Sequence, residues 1–245
     1  MREQPEQQAP PVQRLRIRYA KRGRMRFTSH RDFSRAFERA LVRARVPMAY
    51  SSGFNPHPRI SYAGAAPTGS ASEAEYLEIG LAEPRTAEEV RRLLDDSLPP
   101  GLDVLEVTEA SGRALADRLE ASRWRITLPG VEPAPVADAV RTFLAAEQVM
   151  VERMTKRGLR SFDCRQAVVS LSAVESGGSA EACAIIEVVL RHGTPSVRPD
   201  DVLAGLREVT GLDAPAPLFE REAQGPLDEQ TGTVGDPLEP DRDAV

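Results

Sequence analysis

The chain has 245 residues, too many for one average domain and comfortable for two of roughly 100. Its 41% hydrophobic content is enough for packed cores, no apolar run of about 18 residues is present to cross a membrane, and the Gln- and Pro-rich start does not read as a signal peptide. Two cysteines, Cys164 and Cys183, are too few for a disulfide scaffold and point to a reducing cytoplasm.

In chain order, residues 1–12 are expected to be disordered. Leu15, Ile17 and Tyr19 alternate with Arg14, Arg16 and Arg18, a strand pattern. Lys21-Arg22-Gly23 reads as a turn, and Met25 and Phe27 alternate with Arg24 and Arg26, so an N-terminal β-hairpin is predicted with five arginines on its outer side. Phe33, Phe37, Ala40 and Leu41 recur at helical spacing, predicting a helix from about Asp32 to Arg45. Strands are expected at 60–62 and 76–81, a helix at 86–98 and a strand at 102–108. After a linker at 111–121, the same order recurs with strands at 123–128, 149–155, 182–191 and 217–220, and helices at 136–146 and 199–209; Ser176 to Ser179 reads as a flexible loop. The expected fold is therefore α+β: two ferredoxin-like βαββαβ domains, at 13–110 and 122–222, the first decorated by the hairpin, with one sheet face left open. Residues 223–245, acidic and poor in aromatics, are expected to form a disordered tail. Lys-Arg-Gly occurs twice, at 21–23 and 156–158, a weak sign of repetition.

The net charge of −5 hides an asymmetry. Gln13 to Ile60 holds 13 basic and 2 acidic residues, a net +11, whereas 61–120 is net −8 and 221–245 is net −5. Phosphates respond to a local field and not to the total, so the first domain is the candidate for an anionic polymer such as RNA. The phosphate-contacting candidates are Arg14, Arg16, Arg18, Lys21, Arg22, Arg24, Arg26, Arg31, Arg35, Arg39, Asn55, His57 and Arg59. Arg31, Arg35, Arg39 and Arg43 step by four along the helix and form one slanted stripe; a solvated face in an arginine-biased chain is the plainer explanation. Tyr19, Phe27, Tyr50, Phe54 and Tyr62 are available to stack on bases or to fill a core.

Ser29 and Asp32 have the spacing of a helix-capping pair, with His30 in the first turn. In Gly53-Phe54-Asn55-Pro56-His57-Pro58 two prolines fix the backbone around His57. His30, Asp32 and His57 are the only catalytic candidates: as an acid–base histidine pair for RNA cleavage, or converging on one basic phosphate pocket beside Lys21 and Arg24. The same three residues are a weak set of metal ligands, and no metal is expected. No phosphate-binding glycine loop, Gly-x-Ser-x-Gly or Cys-x-x-Cys occurs, and no cofactor is expected.

The run from Tyr19 to Asp32, Arg39-Ala40-Leu41, Pro47 to Tyr50, Gly53 to Ile60 and Glu73-Ala74-Glu75-Tyr76 resembles the radical-SAM-linked proteins, a domain family of unknown function. Thr155 to Gly158 with Asp163 and Arg165 fits more loosely, and the resemblance spans about Arg14 to Glu220. The motif positions it carries over are Lys21, Arg24, Ser29, His30, Asp32, Asn55 and His57; Ser51-Ser52 stands where Ser-Gln is usual. The resemblance implies a place in RNA modification or processing, beside a radical S-adenosylmethionine (SAM) enzyme or a ribonuclease of the E/G type, and brings no catalytic residues. The chain lacks the three clustered cysteines of a radical SAM enzyme. It is expected to be an accessory RNA-binding protein acting on tRNA or rRNA. The alternatives are a module that docks one of those enzymes and a metal-independent ribonuclease using His30 and His57.

Overall fold

The computed structural model describes residues 7–155, 158–175 and 182–244. The chain forms two units. One runs to Arg118 and includes the C-terminal segment from Asp236, and the other is Leu119–Gly235. The boundary falls inside the stretch expected as a linker, but that stretch is packed: Leu115 and Arg118 are buried within a short 3-10 turn. The fold is mixed α+β, with antiparallel sheets and, among the described residues, five α-helices.

The first unit contains β1 (Gln13–Lys21), α1 (His30–Arg43), β2 (Ile60–Ala63), β3 (Ala71–Leu81), α2 (Ala87–Asp95) and β4 (Val104–Glu109). Every strand pair is antiparallel, and the spatial order is β4-β1-β3-β2. Leu15, Ile17 and Tyr19 lie across from Ile79, Leu77 and Glu75, so the alternating residues of β1 share one face. Phe33, Phe37, Ala40 and Leu41 of α1 and Val90 and Leu94 of α2 complete the core on that face.

The predicted N-terminal hairpin is not formed. Gly23–Phe27 is a 3-10 turn closed by Met25 N–H to Arg22 O (2.9 Å) and Thr28 N–H to Met25 O (3.0 Å). Both edges of β1 are already taken, by β3 and β4, so no hairpin partner has a free edge to pair with. The opposite face of the sheet is not lined with free arginines either. Arg16 is 2% exposed and Lys21 5%.

The second unit contains β5 (Ala121–Pro129), α3 (Pro133–Ala145), β6 (Met150–Thr155), β7 (Gly158–Asp163), β8 (Val168–Glu175), β9 (Cys183–Arg191), α4 (Pro199–Thr210) and β10 (Leu218–Gly225). Its main strands run in the order β10-β5-β9-β8. The segment read from sequence as the second main strand, 149–155, instead pairs with β7 in a separate hairpin, and β8 fills the main-sheet position. Without that hairpin, the connectivity and strand order match those of the first unit. α4 meets α3 and Cys164, the residue after β7, closely through Gly205, where a Cβ would lie 2.8 Å from the Phe143 ring and 2.9 Å from Cys164 Sγ. Lys156 and Arg157 of the second Lys-Arg-Gly, the Ser176–Ser179 loop and Met1–Glu6 lie outside the described residues.

The expected acidic tail is folded. Leu227 bridges to Val234, and both pack with Ala121 and Val189 of the second unit. Glu239–Arg242 then forms a last short helix, α5, on the first unit, with Asp241 fully buried. Arg16 Nη1 reaches both Asp241 oxygens (2.8 and 3.0 Å), and Arg118 reaches them at 2.9 and 3.1 Å. Acidic composition here supplies the partner for two buried guanidiniums instead of a solvated tail.

Candidate nucleic-acid interface

α1 begins where the sequence places its cap. Ser29 Oγ accepts from Asp32 N–H (3.2 Å) and donates to Asp32 Oδ2 (2.6 Å). Asp32 therefore serves the helix terminus. Leaving the 3-10 turn, the chain carries Arg24 and Phe27 to the surface, then enters α1, whose outer face presents Arg31, Arg35 and Arg39. Among the described residues, none of Arg24, Arg31, Arg35 and Arg39 forms an ion pair; Arg43 is exposed and donates to Ser97 O (3.1 Å). Elsewhere pairing is the rule: Arg22 with Glu73 and Asp103, Arg91 with Glu88, Arg125 with Glu222 and Glu187, Arg153 with Asp201, Arg207 with Asp213.

The remaining candidates divide sharply. Arg16 is consumed by Asp241, Glu78 and two backbone carbonyls. Arg18 donates to Glu73 O (2.9 Å). Lys21 is buried against the Ala66 and Pro67 carbonyls, 3.4 Å from each. Arg22 is ion-paired, and hydrogen bonds from its guanidinium to the Glu73 carboxylate raise its pKa further. Arg26 packs its guanidinium 4.9 Å from the Phe27 ring centroid, and its Nε is buried without a hydrogen-bond partner. Arg14 is open to solvent near Glu78 (3.7 Å), and Arg59 is exposed with Nε on Tyr50 O (3.2 Å). Asn55 and His57 are exposed. Arg45, absent from the sequence-derived set, adds an exposed cation just past the helix end.

The aromatic residues divide in the same way. Tyr19 stacks on Phe33 at 4.5 Å and is core. Tyr62 is half-buried, and burial raises its pKa; Ser34, one helical turn beyond His30, donates its Oγ to His30 O. Phe27, Tyr50 and Phe54 are 62, 40 and 65% exposed.

The two histidines have separate partners. His30 sits edge-on to Tyr62, ring centroids 4.9 Å apart. His57 precedes β2 and is held by reciprocal bonds with Ser51, at 3.0 and 2.8 Å. Among the described residues, no hydrogen bond or ring contact joins His30 to His57. Among the described residues, no group of three His, Cys, Asp or Glu side chains is placed to hold a metal ion, and no helix is long and apolar enough to cross a membrane.

Two solved structures are similar to the chain. One, described as a Cbf5-Nop10-Gar1 complex, matches over 91% of this chain with 9% identity and a TM-score of 0.47. This chain spans about half (55%) of the length of that one. The other, an unknown protein from Galdieria sulphuraria, matches over 85% of this chain and 98% of its own length, with 13% identity and a TM-score of 0.25. No curated protein matches the sequence. The family model that does match covers residues 14–199, most of both units, and the chain belongs to that family, described as an uncharacterized protein conserved in bacteria (DUF2344).

Proposed function

We propose that the first unit binds RNA through the outer face of α1, and that the protein is an accessory factor in RNA modification or processing. The carrying observation is the contrast in pairing. Arg24, Arg31, Arg35 and Arg39 are solvent-exposed and free of carboxylate partners, in a chain whose other arginines are mostly paired. Adjacent like charges at helical spacing repel by a few tenths of a kcal/mol per pair, a cost that an anionic polymer removes. Guanidinium groups suit this task because they contact phosphate oxygens bidentately.

The scaffold supports the same reading. Strand order β4-β1-β3-β2 with two helices on one face is the ferredoxin-like arrangement, and the second unit fits a ferredoxin-like domain with β6 and β7 inserted. On this reading the chemistry belongs to a separate cytoplasmic enzyme, a radical SAM enzyme or an E/G-type ribonuclease, which is what the resemblance to radical-SAM-linked proteins implies. A second reading, docking onto an acidic face of such an enzyme, is favoured by the exposed Val42 (74%) and Phe27 among the arginines.

Fluorescence anisotropy with labelled RNA near 100 mM salt tests the proposal. The expected result is binding by the full chain and a loss of at least about tenfold for Arg31→Gln/Arg35→Gln/Arg39→Gln, roughly 0.5 kcal/mol per contact. Absence of RNA binding, with retained association to a partner enzyme, would transfer this face to the docking reading.

A further inference from the structure

We infer that the RNA this face accepts is single-stranded, with bases stacking on the exposed rings of Phe27, just before α1, and Phe54, in the loop that follows it. This rests on the RNA-binding reading above and goes beyond it, because phosphate contacts alone favour neither single nor double strands. Phe27 closes the 3-10 turn three residues before α1 begins. Its ring is 62% exposed, and the Arg26 guanidinium lies 4.9 Å from its centroid. A base on the open side of the ring would complete a cation–aromatic–base stack.

Phe54 stands at the tip of the loop that follows α1, and its ring is 65% exposed. The neck of that loop is fastened three ways. Ser51 N–H donates to His57 O (2.8 Å), His57 N–H donates to Ser51 Oγ (3.0 Å), and Tyr50 bridges Pro58. Gly53 takes φ +122, a conformation that side-chain-bearing residues rarely adopt, so the turn carrying Phe54 is built for it. His57 thus acquires a role that does not require its imidazole: its backbone closes the loop that holds the ring out. Tyr50, 40% exposed, lies at the same neck, with its carbonyl held by Arg59 Nε.

Between the two rings in the chain lies α1, 14 residues and therefore about 21 Å long, with Arg31, Arg35 and Arg39 on its outer face. A basic track combined with exposed aromatic rings is the equipment of single-strand recognition. Base-paired RNA keeps its bases stacked inside the helix and offers these rings no π-face; an unpaired segment does.

The test compares an oligouridylate of about 12 nucleotides with a duplex of the same length, using the full chain and the variants Phe27→Ala, Phe54→Ala and Phe54→Trp. The expected results are at least tenfold tighter binding of the single strand, a loss of roughly 5- to 150-fold for each alanine variant with an unchanged salt slope, and retention of affinity by Phe54→Trp. Both phenylalanines are on the surface, and circular dichroism confirms that the variants fold. Equal affinity for duplex and single strand, or no effect of either alanine change while Arg31→Gln/Arg35→Gln/Arg39→Gln abolishes binding, would overturn the single-strand inference and leave RNA binding standing. Failure to bind either RNA would overturn both.

Discussion

Arg45 is the only non-glycine residue with positive φ among the described residues (φ 52). It follows the C-cap of α1, with Arg45 N–H on Val42 O and Val46 N–H on Leu41 O (both 3.1 Å), the pair of bonds that ends a helix in a left-handed turn. Glycine is the favoured residue there, so Arg45→Gly is expected to raise stability by about 0.5–1 kcal/mol in denaturant unfolding. The same change removes an exposed cation beside the arginine stripe and should weaken RNA binding, so stability and affinity move in opposite directions. Asp241 is the converse case, a charge kept by structure alone. Burial opposes its ionisation, but hydrogen bonds from Ser111 N–H and Oγ and from the guanidiniums of Arg16 and Arg118 outweigh that and hold its carboxyl below the ordinary range. A depressed folded-state pKa contributes stability that is complete above the unfolded value of about 3.9 and is lost as pH falls through the folded value. Asp241→Asn should cost about 3–5 kcal/mol at neutral pH, because it strands two buried guanidiniums. Unfolding measured from pH 7 to pH 3 should also show a shallower acid loss for the variant than for the parent; parallel curves would remove Asp241 from the account.

At the scale of elements, the C-terminal segment is where composition misleads most. A chain ended at Glu222 loses the pairing of Ala223–Gly225 with β5 and the Asp241 contacts of the first unit. It should melt earlier than the full chain and bind RNA less well; an unchanged melting temperature would mean that α5 contributes nothing. Composition failed here because a buried ion triad is a non-local fact, joining Arg16, Arg118 and Asp241 across more than two hundred residues of sequence. The same cause hid the fate of the β1 arginines. Alternation showed that Arg16 and Arg18 share a face, but what covers that face depends on residues 111–118 and 236–242. By contrast, α1 was legible throughout. Its apolar period gave the buried Phe33, Phe37, Ala40 and Leu41, its Ser29–Asp32 spacing gave the cap, and the complementary positions gave the exposed stripe. The Arg-Met-Arg-Phe run misread as a strand shows the limit of period-2 patterns over four residues: the 3-10 turn, of period three, exposes Arg24 and Phe27 together. In the second unit, 149–155 reads as a main-sheet strand and 168–175 is not among the strands expected from the sequence; the pairing puts the first in the inserted hairpin and the second in the main sheet.

For the molecule as a whole, the formal charge is −5, and the proposal requires that an acidic protein bind a polyanion. That is physically sound only if the interaction is governed by charges within about a Debye length of the contact, near 8–10 Å in physiological salt. Two triple variants separate local from global charge, because each changes the formal total by the same amount. Arg31→Gln/Arg35→Gln/Arg39→Gln removes three cations without carboxylate partners. Arg123→Gln/Arg141→Gln/Arg207→Gln removes three from the second unit that are already paired, with Glu222, Asp138 and Asp213. A paired arginine has its field largely cancelled by its own carboxylate, so it releases few counterions from RNA. For a single strand the slope of log affinity against log salt is about −0.7 per phosphate neutralised. The first variant should therefore flatten the slope by about 2 and weaken binding most at low salt. The second should leave the slope unchanged within about 0.5, far below the value expected for three lost contacts. Equal flattening by both would show that total charge governs the association, and would detach RNA recognition from α1.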